Sequence, residues 1–318
     1  MYYLGIDLGG TNIAAGVVDE SFKIIGRGKI KTNLPRPSED VVKDIYNAGV
    51  MAVNDAGLTL DDIASVGMGA PGTVNPETGM IEYANNLKFN MVPVRQILGE
   101  LFKKDVYIEN DANAAAFGEC IAGSAKGAKN AVAITLGTGV GGGIIIDGKV
   151  YSGSNYAGAE LGHIIIDCNT SIECTCGRKG CWEAFASASA LIRISKEAME
   201  KDKNSLMWKL CSGNTDTISG RTAFDAMYKG DNTGKQVVEA YIRYVGCGLV
   251  DCVNIFQPDV LCIGGGICKE GENLLIPLKK QLEAERYSKH SIKQTKLVIA
   301  ALGNDAGIIG AAMLFKSN

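Results

Sequence analysis

Apolar positions along the chain follow two periods, and the period changes from one segment to the next. YYLGID, IAAGVVD and FKIIGRGKI near the N-terminus read as three strands, with GGTN as a turn between the first two. SEDVVKDIYNAGVMAVNDAG carries apolar residues at 41, 42, 45, 48, 52 and 53. With a capping-type Ser38 at its start and Gly57 at its end, it predicts a helix. IASVGMGA reads as a strand, PVRQILGELF as a helix, VYIE as a short strand and DANAAAFGECIAG as an Ala-rich helix. The opening pattern then returns: NAVAITLG as a strand, TGVGG as a turn, GIIID as a strand. Helices follow around 182–200, 220–229, 233–256 and 272–286, with DVLCIGGG and KLVIAAL as strands, NTDTISG as a modest loop and DAGIIGAAMLF as a last helix.

Strands alternating with helices predict an α/β protein. IDLGGTN and ITLGTGV look like one device used twice, so duplicated halves are expected, forming two similar lobes with a cleft between them. The length of 318 residues fits two domains.

Composition narrows the class. At 46% hydrophobic and 21% charged, the chain can bury a sizeable core. A formal net charge of -3 supplies no field for nucleic acid or an anionic membrane surface. No apolar run approaches the ~20 residues that span a bilayer, and MYYLGIDLGG lacks the basic start and apolar core of a signal peptide. The ten cysteines are therefore expected in a reducing cytoplasm, where structural disulfides are rare. Cys120, Cys247, Cys252, Cys262 and Cys268 read as small buried hydrophobes.

The forty glycines are nearly twice the usual share of about 7%, and they cluster. GMGAPG at 67–72 and GTGVGG at 137–142 fit a dinucleotide fingerprint in letters only, since neither runs directly into a predicted helix. No GxxxxGK[ST] phosphate loop is present. A glycine turn between two strands suits either a tight hairpin or a nest of backbone N–H groups that holds an anion. Thr11, Asn12 and Thr138 would add side-chain donors, and IGGG at 263–266 is a third such stretch.

Two further clusters carry chemistry. Asp111 lies between a strand and an Ala-rich helix, where it suits a helix cap and a catalytic carboxylate equally well. ECTCGRKGCWE at 173–183 places three cysteines within eight positions, with glycines that let the chain wrap an ion. Without a C-x-x-C redox spacing, it reads as a structural zinc site needing a fourth ligand. His163 is the nearer of the two histidines; His290, in SKHS, reads as a solvated surface residue.

Taken together, IDLGGTN at 6–12, ENDANAAAFGE at 109–119, TLGTGVGGG at 135–143, GAELGH at 158–163, CTCGRKGCWE at 174–183, IGGG at 263–266 and GNDAGIIGAA at 303–312 resemble the ROK family (repressors, open reading frames and sugar kinases). The resemblance covers essentially the whole chain and is strongest to the family's Gram-positive-type bacterial glucokinases. It implies the two-lobed actin, hexokinase and Hsp70-like ATPase fold, built of duplicated ribonuclease H-like lobes around a cleft. The N-terminal small lobe would hold residues 1–118 and 303–318, and the C-terminal large lobe 119–302 with the zinc site.

The resemblance also implies ATP-dependent phosphorylation of a hexose at its 6-hydroxyl, with glucose as the expected substrate. N-acetylmannosamine, fructose, mannose or allose are alternatives. Gly9, Gly10, Thr11 and Asn12, with Gly137, Thr138 and Gly139, would form the phosphate loops, and Gly265 and Gly266 would lie by the adenosine. Asp7, which also suits a turn, would hold Mg²⁺ largely through water. Asp111 would be the general base; its ordinary carboxylate pKa is no obstacle, because the hydroxyl proton leaves late in a loose transition state. Asn86, Asn110, Glu160, His163 and Glu183 would contact the sugar, and the lobes would close on it.

Cys174, Cys176, Cys181 and His163 would hold Zn²⁺, so metal loss is expected to harm sugar affinity and stability more than ATP contacts. A homodimer is also implied. The family's other function, a sugar-responsive repressor, would need a DNA-binding domain ahead of IDLGG, which this chain reaches by residue 6.

Overall fold

The computed structural model describes residues 1–317. In chain order the first elements are β1 (Tyr2–Leu8), β2 (Asn12–Asp19), β3 (Ile24–Lys31), α1 (Ser38–Asp55), β4 (Ile63–Ala70), β5 (Thr73–Asn75), β6 (Met80–Ala84), β7 (Phe89–Val92), α2 (Val94–Phe102), β8 (Val106–Asn110) and α3 (Asp111–Ala122). Then come β9 (Ala131–Leu136), β10 (Val140–Ile146), β11 (Lys149–Val150), α4 (Glu183–Ala186), α5 (Ala188–Lys201), α6 (Leu206–Leu210), α7 (Thr222–Tyr228) and α8 (Asn232–Phe256). β12 (Val260–Gly264), α9 (Glu272–Glu285), β13 (Lys296–Ile299) and α10 (Ala306–Ala312) complete the chain.

The duplication expected from the two glycine turns is present in the sheets. The first sheet has the order β3-β2-β1-β4-β8 and the second β11-β10-β9-β12-β13. Each places its first three strands in reverse order and then adds two strands beyond the first of them. In the first sheet β1 pairs antiparallel with β2 and parallel with β4, and β4 pairs parallel with β8.

The chain divides into two compact units. One comprises Met1–Ala133, Gly142–Ala159 and Ala300–Asn318; the other comprises Ile134–Gly141 and Glu160–Ile299. In the first unit, the predicted apolar positions Val41, Val42, Ile45, Ala48, Ala52 and Val53 of α1 are all buried, in one core with Leu4, Ile6 and Leu8 of β1. α10 packs on β1, β4 and α3. Its approach to α3 is close enough that a Cβ at Gly310 would overlap the Ala114 carbonyl, so glycine is required there. In the second unit, the long α8 packs against α5, α7 and α9.

Four local expectations are corrected. Ser38 does not cap α1: it is the first helical residue, Pro37 holds the cap position, and no side chain caps the end. A proline there costs nothing, because the N–H it lacks would be unpaired at a helix start anyway. The turn after β9 is tighter than TGVGG, since β10 already begins at Val140. The helix expected around 182–200 is two helices: Ser187 is extended (ψ 163°) between α4 and α5 and caps α5 through the Ala190 N–H. The residues between β4 and α2 fold as a small sheet, β5-β6-β7, that the sequence reading did not anticipate. Among the described residues, no helix is long and apolar enough to cross a membrane.

Candidate active site and metal cluster

In the first unit, parallel pairing brings two carboxylates close. Asp7 near the end of β1 is in register with Gly69 of β4, and Gly69 is in register with Glu109 of β8. Two residues beyond Glu109, Asp111 opens α3. A Cβ at Gly69 would stand 3.3 Å from the Asp111 Cα, so the bare glycine lets α3 start directly over β4.

The hydrogen bonds at this helix start show which residue caps it. Asn110 is the cap: its Oδ1 accepts from the Ala112 N–H at 2.9 Å and the Asn113 N–H at 3.2 Å. Its Nδ2 donates to the Gly72 carbonyl at 3.2 Å. Asp111 is thereby relieved of the Ncap position, although its Oδ1 also accepts from the Ala112 N–H at 2.9 Å.

Buried Glu109 braces the same corner, accepting from the Asn110 N–H (2.8 Å), the Asn113 amide (3.1 Å) and the Ser152 hydroxyl (2.7 Å). Asn86 is exposed in the β6–β7 turn. That turn follows Ala84, which lies against Gly72, the residue that Asn110 holds.

Burial pushes the Asp7 carboxyl up from 3.8 to about 6, with the charge of Asp111 as the second cause. Burial also raises Asp111, against the lowering effect of the Ala112 N–H. The ordinary value expected for Asp111 from sequence is therefore corrected upward. Two desolvated carboxylates that are costly to ionise together form a donor set that suits a hard dication with oxygen ligands.

The glycine turn between β1 and β2 is closed by the Gly9 N–H donating to the Asn12 carbonyl at 2.9 Å. Thr32, fully buried, holds this turn from behind. Its N–H donates to the Thr11 carbonyl at 3.0 Å and its hydroxyl to the Gly9 carbonyl at 2.7 Å. The outer face at Gly10 is open, with no atom within 4 Å of where a Cβ would stand. Nothing in the local pattern around Thr32 singled it out.

In the second unit, two glycine turns and two acid-bearing segments meet. Gly265 has a φ of 103°, and a Cβ there would overlap the Leu136 carbonyl, so IGGG lies directly against the start of the Gly137–Gly139 turn. A Cβ at Gly162 would overlap the Val140 carbonyl, which brings GAELGH to the same place. Gly266 is open. The turn itself is closed by the Gly137 N–H donating to the Gly139 carbonyl at 2.9 Å. Ala188 N–H and Ser189 Oγ, at the start of α5, donate to the Gly137 carbonyl (2.8 Å) and the Thr138 carbonyl (2.9 Å).

His163, Cys174, Cys176 and Cys181 come together, with their ligand atoms all within 4.8 Å of one another. Cys174 Sγ is 3.5 Å from His163 Nδ1, and Cys176 Sγ is 3.7 Å from Cys181 Sγ. A tetrahedral zinc ion with bonds of about 2.3 Å to sulfur and 2.0–2.1 Å to nitrogen needs ligand separations of about 3.6–3.8 Å. The four residues therefore fit zinc in kind and number, and these two pairs stand at its spacing.

His163 presents Nδ1 to the cluster, while its Nε2 lies 4.0 Å from Glu160 Oε2. Trp182, fully buried, anchors the loop: its indole N–H donates to the Tyr244 carbonyl at 2.8 Å and its backbone N–H to the Ile164 carbonyl at 2.8 Å. Glu183 turns one oxygen to the Val140 N–H (2.9 Å) and the other to the Thr175 hydroxyl (2.8 Å).

The profile of the ROK family matches residues 3–318. The chain is 35% identical over 315 residues to a glucokinase of Thermotoga maritima, covering 98% of this chain and 96% of that one. It is 36% identical over 313 residues to a glucokinase of Streptomyces coelicolor, covering 98% and 96%. Among solved structures, a ROK family glucokinase from Streptomyces griseus in complex with glucose and AMPPNP matches with a TM-score of 0.80 at 35% identity, covering 99% of both chains. The chain belongs to the ROK family, and its α/β sheets have the actin- and hexokinase-like fold of that family's sugar kinases.

Proposed function

We propose that this chain is an ATP-dependent sugar kinase that phosphorylates a hexose at its 6-hydroxyl, with glucose as the principal substrate. The observation that carries the reading is its full-length similarity to bacterial glucokinases, one of them seen with glucose and AMPPNP. Cytoplasmic location and a homodimer belong to the same reading.

Phosphoryl transfer asks the protein for alignment, charge neutralisation and an acceptor for the alcohol proton. Asp111 serves as that acceptor. It sits on rigid elements and leaves capping to Asn110, and burial raises its pKa, which strengthens it as a base. Asp7, whose own carboxyl resists ionisation, would hold Mg²⁺ through water; the ion would neutralise charge on the phosphate oxygens.

The turns at Gly9–Asn12 and Gly137–Gly139 would offer backbone N–H groups and the hydroxyls of Thr11 and Thr138 to phosphates, and open Gly266, beside the packed Gly265, would leave room for the adenosine. Glu160, His163, Glu183, Asn86, Asn110 and Asp111 carry the carboxylate, imidazole and amide groups that pair with sugar hydroxyls. Zinc held by His163, Cys174, Cys176 and Cys181 would fix the imidazole, leaving its Nε2–H toward Glu160 and the sugar.

The test is sugar-dependent ADP release from Mg²⁺-ATP across glucose, mannose, fructose, allose and N-acetylmannosamine. Glucose is expected to give the highest kcat/KM. No stimulation by any of them would overturn the kinase reading, and a preference for another sugar would overturn glucose as the substrate.

A further inference from the structure

The turn at Gly137–Val140 makes three hydrogen bonds with one short segment that follows the cysteine cluster. These are the Val140 N–H to Glu183 Oε2 (2.9 Å), the Ala188 N–H to the Gly137 carbonyl (2.8 Å) and the Ser189 hydroxyl to the Thr138 carbonyl (2.9 Å). The Glu183 carboxylate lies so close to the turn that a Cβ at Gly139 would overlap its Oε2. Its other oxygen, Oε1, accepts from the Thr175 hydroxyl at 2.8 Å.

Thr175 stands between the cluster residues Cys174 and Cys176, and Glu183 stands two residues beyond Cys181. One carboxylate therefore spans from the cluster to the turn. Cys174 Sγ is also 3.6 Å from Oε1. A thiolate bound to zinc has no proton to donate, so Thr175 is the donor that persists when the cluster is loaded.

We propose that the Cys/His cluster, when it holds zinc, positions the Gly137–Val140 turn through Thr175 and Glu183, so that nucleotide affinity depends on the metal. Thr175 and Glu183 act here as positioning residues. A carboxylate tied at both ends keeps its charge on the Val140 amide. Released from Thr175, it is free to swing beside a turn meant for phosphate, where like charge repels. The inference rests on the turn's role in nucleotide binding, and the coupling itself has a readout that does not.

Thr175→Val keeps the shape of the side chain and removes only the hydroxyl; Thr175 is neither a ligand nor a sugar contact. Three quantities are measured in wild type, Thr175→Val and both chains after chelation. They are zinc content, amide hydrogen exchange over residues 136–141, and the Kd for Mg²⁺-AMPPNP. Chelated wild type should exchange at least ~10-fold faster over 136–141, as an amide freed from its carboxylate would. Thr175→Val should retain its zinc, exchange faster over the same residues, and bind AMPPNP roughly 5-fold more weakly, the size expected for one hydrogen bond to a charged group.

Chelating Thr175→Val should add little further. Unchanged exchange over 136–141 in zinc-loaded Thr175→Val would overturn the coupling, even if the chelated chains unfold. A wild type whose exchange responds but which binds no AMPPNP would overturn the nucleotide role of the turn and leave the coupling supported.

Discussion

Asp7 on β1 feels the charge of Asp111 on α3 across a single glycine, Gly69, and after burial the Asp111 carboxylate is the second cause that holds the Asp7 carboxyl at about 6. The fold thus keeps an electrostatic cost at the place where the proposed chemistry needs two acids.

That cost predicts a trade between stability and activity at Asp7. Its folded pKa is above its ordinary value of 3.8. Below that value both states are protonated and there is no penalty; between 3.8 and about 6 the unfolded chain ionises while the folded carboxyl keeps its proton, so the penalty grows, and above about 6 it is full and constant. Asp7→Asn should therefore raise stability at pH 7 without Mg²⁺ or nucleotide, by about 1–3 kcal/mol. The gain should vanish below pH 4, and the variant should be almost inactive. Thermal unfolding across pH, with and without Mg²⁺-AMPPNP, measures this. A variant less stable than wild type at pH 7 without ligands would contradict the burial account.

The pH dependence of turnover follows from Asp111. A general base works only when deprotonated, and burial has raised its pKa. The acidic limb of kcat should lie above the ordinary aspartate range, with turnover falling about tenfold per pH unit below it. A limb at or below the ordinary aspartate value would rule out Asp111 as the titrating group.

The metal cluster should be cooperative in its ligands. Cys176→Ala removes one of four ligands from a closed tetrahedral set. Purified protein should carry much less zinc, melt at lower temperature and show a raised KM for the sugar. Full zinc occupancy with an unchanged KM would refute a structural role for the cluster.

Packing beneath the cluster is testable separately. A Cβ at Gly248 of α8 would overlap the Trp182 ring, and Trp182 is the buried anchor of the cysteine loop. Gly248→Ala should cost about 1–3 kcal/mol and shift the fluorescence of Trp182. Denaturant unfolding reads the first effect and emission spectra the second. An unchanged midpoint would mean that α8 can move away at no cost.

Much of this was legible in the chain. The α1 pattern placed each of its apolar positions in the core, and the repeated strand–glycine–strand device anticipated a duplication, which the two sheets carry in their strand order. The cysteine spacing anticipated a cluster that the fold closes with His163. Other features were hidden for physical reasons. Asn110 and Asp111 are both competent helix caps, so only the hydrogen bonds show that Asn110 takes the role. Short strands such as β5 and β7 are too brief to show a period, and the Ser187 break interrupts a pattern that reads as one helix. Thr32 and Thr175 act through contacts distant in sequence or specific to a loop's shape, and no local pattern reports those.

Asp111 is the proposed proton acceptor on which sugar phosphorylation depends. The direct measurement is kcat for Mg²⁺-ATP and glucose in Asp111→Asn, beside the glucose Kd of the same protein. The expected result is a loss of at least ~10²-fold in kcat with glucose affinity changed much less. Near-normal kcat in Asp111→Asn would contradict it.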